Sequence, residues 1–333
     1  MLFRLVTATS TALHLHAIRW WREYSALIAV VVVIGVPAYI FFLAPPRAFP
    51  IDMFVHVDQG ATLSNIATEL AETGIIRSPL VFELFVRGIG GSRTIDAGTY
   101  RFDEPLSVIS IARRLMRGDS GIPPVRVTFP EGLSVREMSE VAHDAVSQEF
   151  AIAFFKEAKP YEGFLFPDTY LISTADTPAG LVAHMRQVFA AHTAMLEPGV
   201  QSSGRTLDEI IIMASLVERE ANTDADRRIV AGILWDRLDL DMALQVDAVF
   251  GYILEKSAYA PTLEDLKINS PYNTYLYRGL PPTPIGNPGL GAIMAALEPT
   301  KTPYLYYLTG TDGTMYYART FAEHQANRAK YLK

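Results

Sequence analysis

The chain has 333 residues, half of them hydrophobic, which suffices for one sizeable core or two smaller ones. A net charge of -7 leaves no basic surplus to neutralise phosphates, which argues against a nucleic-acid partner. The absence of cysteine excludes disulfides, thiolate metal sites and a cysteine nucleophile, and it suits a compartment where stray thiols would be oxidised.

The first feature in chain order is Ser25 to Leu43, a run of 19 residues without a charge. At about 1.5 Å rise per residue a helix of that length spans roughly the 30 Å hydrocarbon core of a bilayer. Trp20 and Trp21 precede the run, and Tyr39, Phe41 and Phe42 lie near its far end, where interfacial aromatics belong. Arg4, Arg19 and Arg22 precede it and only Arg47 follows closely, so the basic bias puts the N-terminus in the cytoplasm and the rest outside. A cleaved signal peptide fits poorly, because the apolar run is too long and Leu43-Ala44-Pro45 is a poor cleavage site. Residues 1–24 are thus expected to be cytoplasmic, 25–43 to be a retained single-pass anchor in the inner membrane, and 44–52 to be a Pro-rich exit linker.

A small α+β unit should follow. Phe54 to Val57 has strand character, Leu63 to Ala71 is an amphipathic helix, and Ser78-Pro79 opens a second helix through Phe85. Gly98 to Phe102 is expected to return as a strand, and Ile109 to Leu115 as a short helix. The next segment begins with a strand at Val125 to Phe129 and then Pro130-Glu131-Gly132. Ser134 with Glu137, and Thr206 with Glu209, have capping-box spacing for two further helices. The second of these is apolar almost all round from Ile210 to Val217, the mark of a helix buried on most sides. A helix from about Asp226 to Leu238 follows. Residues 269–289, rich in Pro, Gly, Asn and Tyr, should form an ordered loop. Tyr304 to Leu308 and Met315 to Ala318 flank a Gly-containing turn as a hairpin, and Thr320 with Glu323 caps the last helix.

Three clusters could carry chemistry. The buried helix ends in Glu218-Arg219-Glu220. Glu218 lies over Ile211, Ala214 and Ser215, whereas Glu220 is about 200° away at 3.6 residues per turn, so the two cannot act as a close pair. A carboxyl among aliphatic side chains has its charged form disfavoured, which is the tuning that a general acid needs. Spacing alone leaves open that both glutamates are exposed at a frayed helix end beside Arg219. The second cluster, residues 161–170, interleaves aromatics with Glu162 and Asp168, a mixture that suits sugar rings and their hydroxyls. On composition a packed turn is the simpler account. The third joins Gln245 and Asp247 to Tyr272, Asn273, Thr274, Tyr275 and, beyond a Pro/Gly loop, Asn287. Such amides and hydroxyls are good neutral partners for a sugar, and they are equally common in structural turns. No metal-ligand spacing, phosphate loop or serine elbow is present.

Taken in order, PEGLSVREM (130–138), YEGFLFPDTY (161–170), IIMASLVERE (211–220), LQVDAVFGY (244–252), SPYNTY (270–275), GLPPTPIGNPG (279–289) and EHQANRAKYL (323–332) resemble the YceG-like family of endolytic murein transglycosylases. Val246, Ala248, Thr283, Gly286, Met315 and Gln325 depart from that family's usual residues, and none of them touches Glu218 in sequence. The resemblance implies a single N-terminal transmembrane helix, a small LysM-like α+β domain over 53–120 and a mixed α+β catalytic domain over 121–333. It implies Glu218 as the catalytic acid/base, with Glu162, Asp168, Gln245, Asp247, Tyr272, Asn273, Thr274, Tyr275 and Asn287 as candidate substrate contacts by motif position. It further implies cleavage of the β-1,4 bond between N-acetylmuramic acid and N-acetylglucosamine within nascent strands, leaving 1,6-anhydromuramic ends and terminating those strands. The partners would be peptidoglycan strands, the membrane and, as candidates, peptidoglycan synthases, with no cofactor or metal. A hydrolytic muramidase on the same bond, with Glu162, Asp168 or Asp247 as second carboxylate, and a non-catalytic wall-binding scaffold are the alternatives.

Overall fold

A computed structural model of the chain describes residues 24–25, 28–90, 95–257 and 259–332. The expected cytoplasmic segment, with Trp20, Trp21 and the three arginines, lies outside the described residues, as do Ala26 and Leu27 of the expected span. From Val31 to Leu43 the backbone is helical, with π-type turns at Val31–Gly35 and Tyr39–Leu43 around Val36–Ala38. Its large apolar side chains are mostly exposed, Val33 by 69% and Phe41 by 67%. No helix among the described residues is long and apolar enough to cross a membrane.

Two compact units follow from the packing, the described residues up to 123 with 173–175, and residues 124–172 with the described residues from 176 on. In the first, β1 (Met53–Val57) pairs antiparallel with β2 (Gly98–Phe102), Val55 opposite Tyr100. Helices α1 (Leu63–Glu72), α2 (Pro79–Gly90) and α3 (Val108–Met116) cover the pair. Thr62 and Ser107 start α1 and α3, each side chain accepting a backbone N–H three residues on. Val55, Leu70, Phe82, Tyr100, Phe102 and Ile111 form its core.

The second unit has two apolar centres. One lies between the antiparallel pair β3 (Val125–Thr128) and β4 (Thr169–Ile172) and helices α4 (Val135–Ala145), α5 (Gln148–Ala158) and α6 (Pro178–Ala194). The other is built on α7 (Glu197–Ser203), α8 (Leu207–Glu220), α9 (Asp224–Asp239), the short α10 (Val249–Ile253) and α11 (Leu290–Leu297). A hairpin of β5 (Tyr306–Thr309) and β6 (Met315–Ala318) packs with α12 (Phe321–Tyr331). The mixed α+β class holds, with three separate two-stranded sheets among the described residues. Both capping boxes are formed, Ser134 with Glu137 and Thr206 with Glu209. Because α8 is apolar all round, every residue from Ile210 to Val217 is buried, and the helix runs through the larger core. Its first turn, with Asp208 and Glu209 exposed, and its last turn lie outside that core.

Candidate active site

Where α8 emerges, its three terminal side chains fan out to three different sets of partners. The Glu218 side chain is 4% exposed. Its Oε1 is 2.5 Å from Arg227 Nη2 on α9, and its Oε2 accepts the Gly289 N–H at 2.8 Å, at the start of α11. Arg219 turns the other way, donating to Gly132 O at 3.0 Å and to the Glu137 carboxylate. Glu220 accepts the Tyr307 hydroxyl at 3.1 Å and faces Asp247.

To the expectation that Glu218 lies over Ile211, Ala214 and Ser215 the structure adds these charged and polar partners. Ile211, Ala214 and Ser215 are buried in the core, and the carboxyl one turn on meets Arg227 and the Gly289 N–H. Ser215 itself accepts the Ile285 N–H at 3.1 Å. Burial still holds the Glu218 carboxyl above its usual range. The Gly289 N–H and the Arg227 guanidinium oppose this by favouring the carboxylate, while the charges of Glu131 and Asp224 reinforce it. The result is a nearly sealed carboxyl that favours a proton, with two donors in place to steady the anion once the proton leaves.

Loops that are distant in sequence make this chamber. Asn287, fully buried, accepts N–H groups from Gly163 at 2.9 Å and Leu165 at 3.0 Å, and its amide donates to Leu133 O at 3.0 Å. Its backbone oxygen accepts the Gly132 N–H at 2.7 Å. One side chain therefore stitches residues 130–134, 161–165 and 285–289 together. Gly163 has φ +88°, and a Cβ there would come within 2.3 Å of Pro284 Cγ. Both strain and overlap oppose a side chain, so Gly163→Ala should destabilise the fold by about 2–4 kcal/mol, read by urea unfolding.

Glu162 is buried and capped on every side. It accepts the Val135 N–H at 2.9 Å, at the N-terminus of α4, and meets Lys159 Nζ at 3.3 Å. Its role is to anchor the turn. The aromatics of 161–170 are likewise structural: Phe166 stacks on His192 at 4.1 Å, Tyr170 donates to Phe166 O at 2.7 Å, and Arg186 lies over Tyr161 at 3.9 Å. These contacts are the packed turn that the composition of this segment also allows. Asp168 is exposed at the start of β4, where its carboxylate caps Thr169 N at 2.6 Å. It makes no hydrogen bond or ion pair to the Glu218 cluster among the described residues.

The third cluster assembles as expected from chain order, but mostly through its own bonds. Thr274 O accepts the Gln245 N–H at 3.1 Å, and Thr274 Oγ1 accepts the Val246 N–H at 2.9 Å. Asn273 donates to Leu266 O at 3.1 Å and Ile268 O at 2.8 Å, and Tyr275 donates to Asp247 at 2.6 Å. Asn273, Thr274 and Asn287 are all buried, so they support a surface rather than form one. Gln245 and Asp247 remain exposed, Tyr272 half-buried with its hydroxyl 2.7 Å from Thr283 Oγ1. Gln245 is held at φ 50°, in the left-handed region, and is exposed.

Burial first, and the charge of Asp247 second, push Glu220 up to about 7. Its folded pKa lies above the ordinary value of 4.5, so the folded state binds the proton more tightly. The stability it confers is present below pH 4.5 and is lost as pH rises to about 7. Glu220→Gln should therefore gain about 2 kcal/mol relative to wild type between pH 5 and pH 8, measured as the difference between denaturant unfolding curves.

Two residues central to the chamber escaped the sequence reading. Arg227 and Glu131 meet at 4.0 Å beside Glu218. Glu131 stands in a segment that matched as a motif, but nothing in the spacing tied it to α8.

A model of the YceG-like family matches residues 55–330. The chain is 30% identical over 305 residues to an endolytic murein transglycosylase of Bacillus subtilis (strain 168), the alignment covering 84% of each. It is 27% identical over 320 residues to an endolytic murein transglycosylase of Streptococcus pneumoniae (strain ATCC BAA-255 / R6), covering 84% of this chain and 58% of that relative. The 2.6 Å crystal structure of a yceG-like protein from Listeria monocytogenes is similar, with a TM-score of 0.55 at 26% identity, over 83% of this chain and 98% of that one.

Proposed function

The chain belongs to the YceG-like family, and on that footing we propose that it is an endolytic lytic transglycosylase of peptidoglycan with Glu218 as its single general acid/base. The observation that carries the proposal is the convergence of four family-like segments, 130–138, 161–170, 211–220 and 279–289, on one proton-favouring carboxyl that is 4% exposed.

Protonated Glu218 donates to the oxygen of the β-1,4 bond, the C1–O bond of the muramic residue breaks, and N-acetylglucosamine leaves with a free hydroxyl. The oxocarbenium-like centre is attacked by that sugar's own C6 hydroxyl, whose proton returns to Glu218. A 1,6-anhydro ring closes, no water is consumed, and the carboxyl ends as it began. In the interval the anion is held by the Gly289 N–H and Arg227. Gln245 and Asp247, exposed on a loop pinned to Thr274 and Tyr275, are the groups we assign to the sugar chain, with Tyr272 as a further contact.

The run 25–43 acts as the single-pass anchor, the unit 53–120 as a LysM-like module, and the catalytic unit works outside the cytoplasmic membrane, where cutting nascent strands terminates them. Mass spectrometry of purified wall digested by the full-length protein tests the activity. New ends lighter than reducing ends by one water are expected. Reducing ends only would make the enzyme a muramidase, and no new ends a binding scaffold.

A further inference from the structure

The guanidinium of Arg227 is shared by more acids than it can neutralise. Nη2 stands 2.5 Å from Glu218 Oε1 and 4.0 Å from Glu131 Oε2, so these two oxygens are at most about 6.5 Å apart. Nη1 is 3.3 Å from Asp224 Oδ1, and Nε donates to Ala221 O at 3.1 Å. One cation thus faces three carboxylates, whose side chains are 4%, 50% and 81% exposed in the order Glu218, Glu131, Asp224.

With all three ionised, the cluster carries two surplus negative charges, and a single proton halves that surplus. The two outer carboxylates are exposed to water, which supports a charge. The buried one has no such support, so the proton goes there. Without a competing acid, an arginine in contact and a backbone N–H would together draw a carboxyl into its anionic form, which is useless for donating a proton. Asp224 competes weakly, being almost fully solvated. Glu131 is the effective rival. Its carboxylate lies directly over Gly289, where a Cβ would come within 1.9 Å of Oε1, beside the other donor to Glu218. The remaining groups around Glu218 leave this balance alone. Arg219 is turned to Gly132 O and Glu137, and α11 offers only the neutral Gly289 N–H.

We propose that Glu131 is a positioning residue for this reaction, competing with Glu218 for the guanidinium of Arg227 and so keeping the proton on Glu218. It acts through Arg227 rather than on the sugar, and the role rests on the lytic reading above.

The test is the pH profile of strand cutting by the full-length protein in detergent, compared with the carbon-13 titration of the Glu218 carboxyl without substrate. Glu131→Gln should move the alkaline limb down by about one pH unit, a roughly tenfold loss on that limb with little change on its acid side. The Glu218 titration midpoint should fall equally. Glu131→Ser, a second neutral variant, is read the same way should the first fold poorly. Glu131→Asp should restore most of the limb, and Asp224→Asn should shift it by a small fraction. An unmoved midpoint, or a loss uniform across pH, overturns the role of Glu131 even if Glu218→Gln is dead. Cutting that survives Glu218→Gln instead removes the lytic reading, and the midpoint alone then judges the competition for Arg227.

Discussion

Glu218→Gln is expected to cut glycan strands about 10³-fold more slowly than wild type, within the range that a positioned general acid/base supplies. The amide has the shape of the carboxyl but no proton to give and no basicity to recover one from the C6 hydroxyl. It can still satisfy either Arg227 or the Gly289 N–H through its oxygen, though not both, since its nitrogen only donates. Arg227 retains Asp224 and Glu131 as counter-charges. The variant should therefore fold, with stability changed by about 1–2 kcal/mol, while release of new ends from wall material nearly stops. A rate within a factor of two of wild type would remove Glu218 from the chemistry.

The second large effect is on stability. Asn287→Ala deletes an acceptor shared by two buried N–H groups and the donor to Leu133 O. Each orphaned group costs about 1–3 kcal/mol, so a loss of about 3–5 kcal/mol is expected. Because the three loops it joins carry Gly132, Gly163 and Gly289, the Glu218 chamber should loosen before the fold is lost. Activity should thus fall at temperatures where far-UV circular dichroism is still native. Equal losses of activity and secondary structure would mean that Asn287 holds the fold and not the chamber.

Much of the fold was legible because its signals are local. Capping boxes at Ser134 and Thr206, and the cap at Thr320, mark helix starts within four residues, and the apolar run Ile210 to Val217 announces its own burial. No helix is expected at α6 from the sequence as read above, although Leu181, Met185 and Phe189 recur at helical spacing. The four-residue β4 is too short for its alternation to stand out. The site was legible only as a set of segments. That Asn287 is a clamp rather than a sugar contact, or that Glu218 leans on Arg227, depends on pairings across 9 to 124 residues that no local pattern encodes.

The claim on which the rest turns is that one carboxyl breaks the bond and closes the ring without water entering the product. Digesting wall material with the full-length protein in water enriched in oxygen-18 addresses it directly. The account predicts new muramic ends carrying no label and missing one water. Ends that carry one labelled oxygen would show that water, and not the sugar's own hydroxyl, attacks C1.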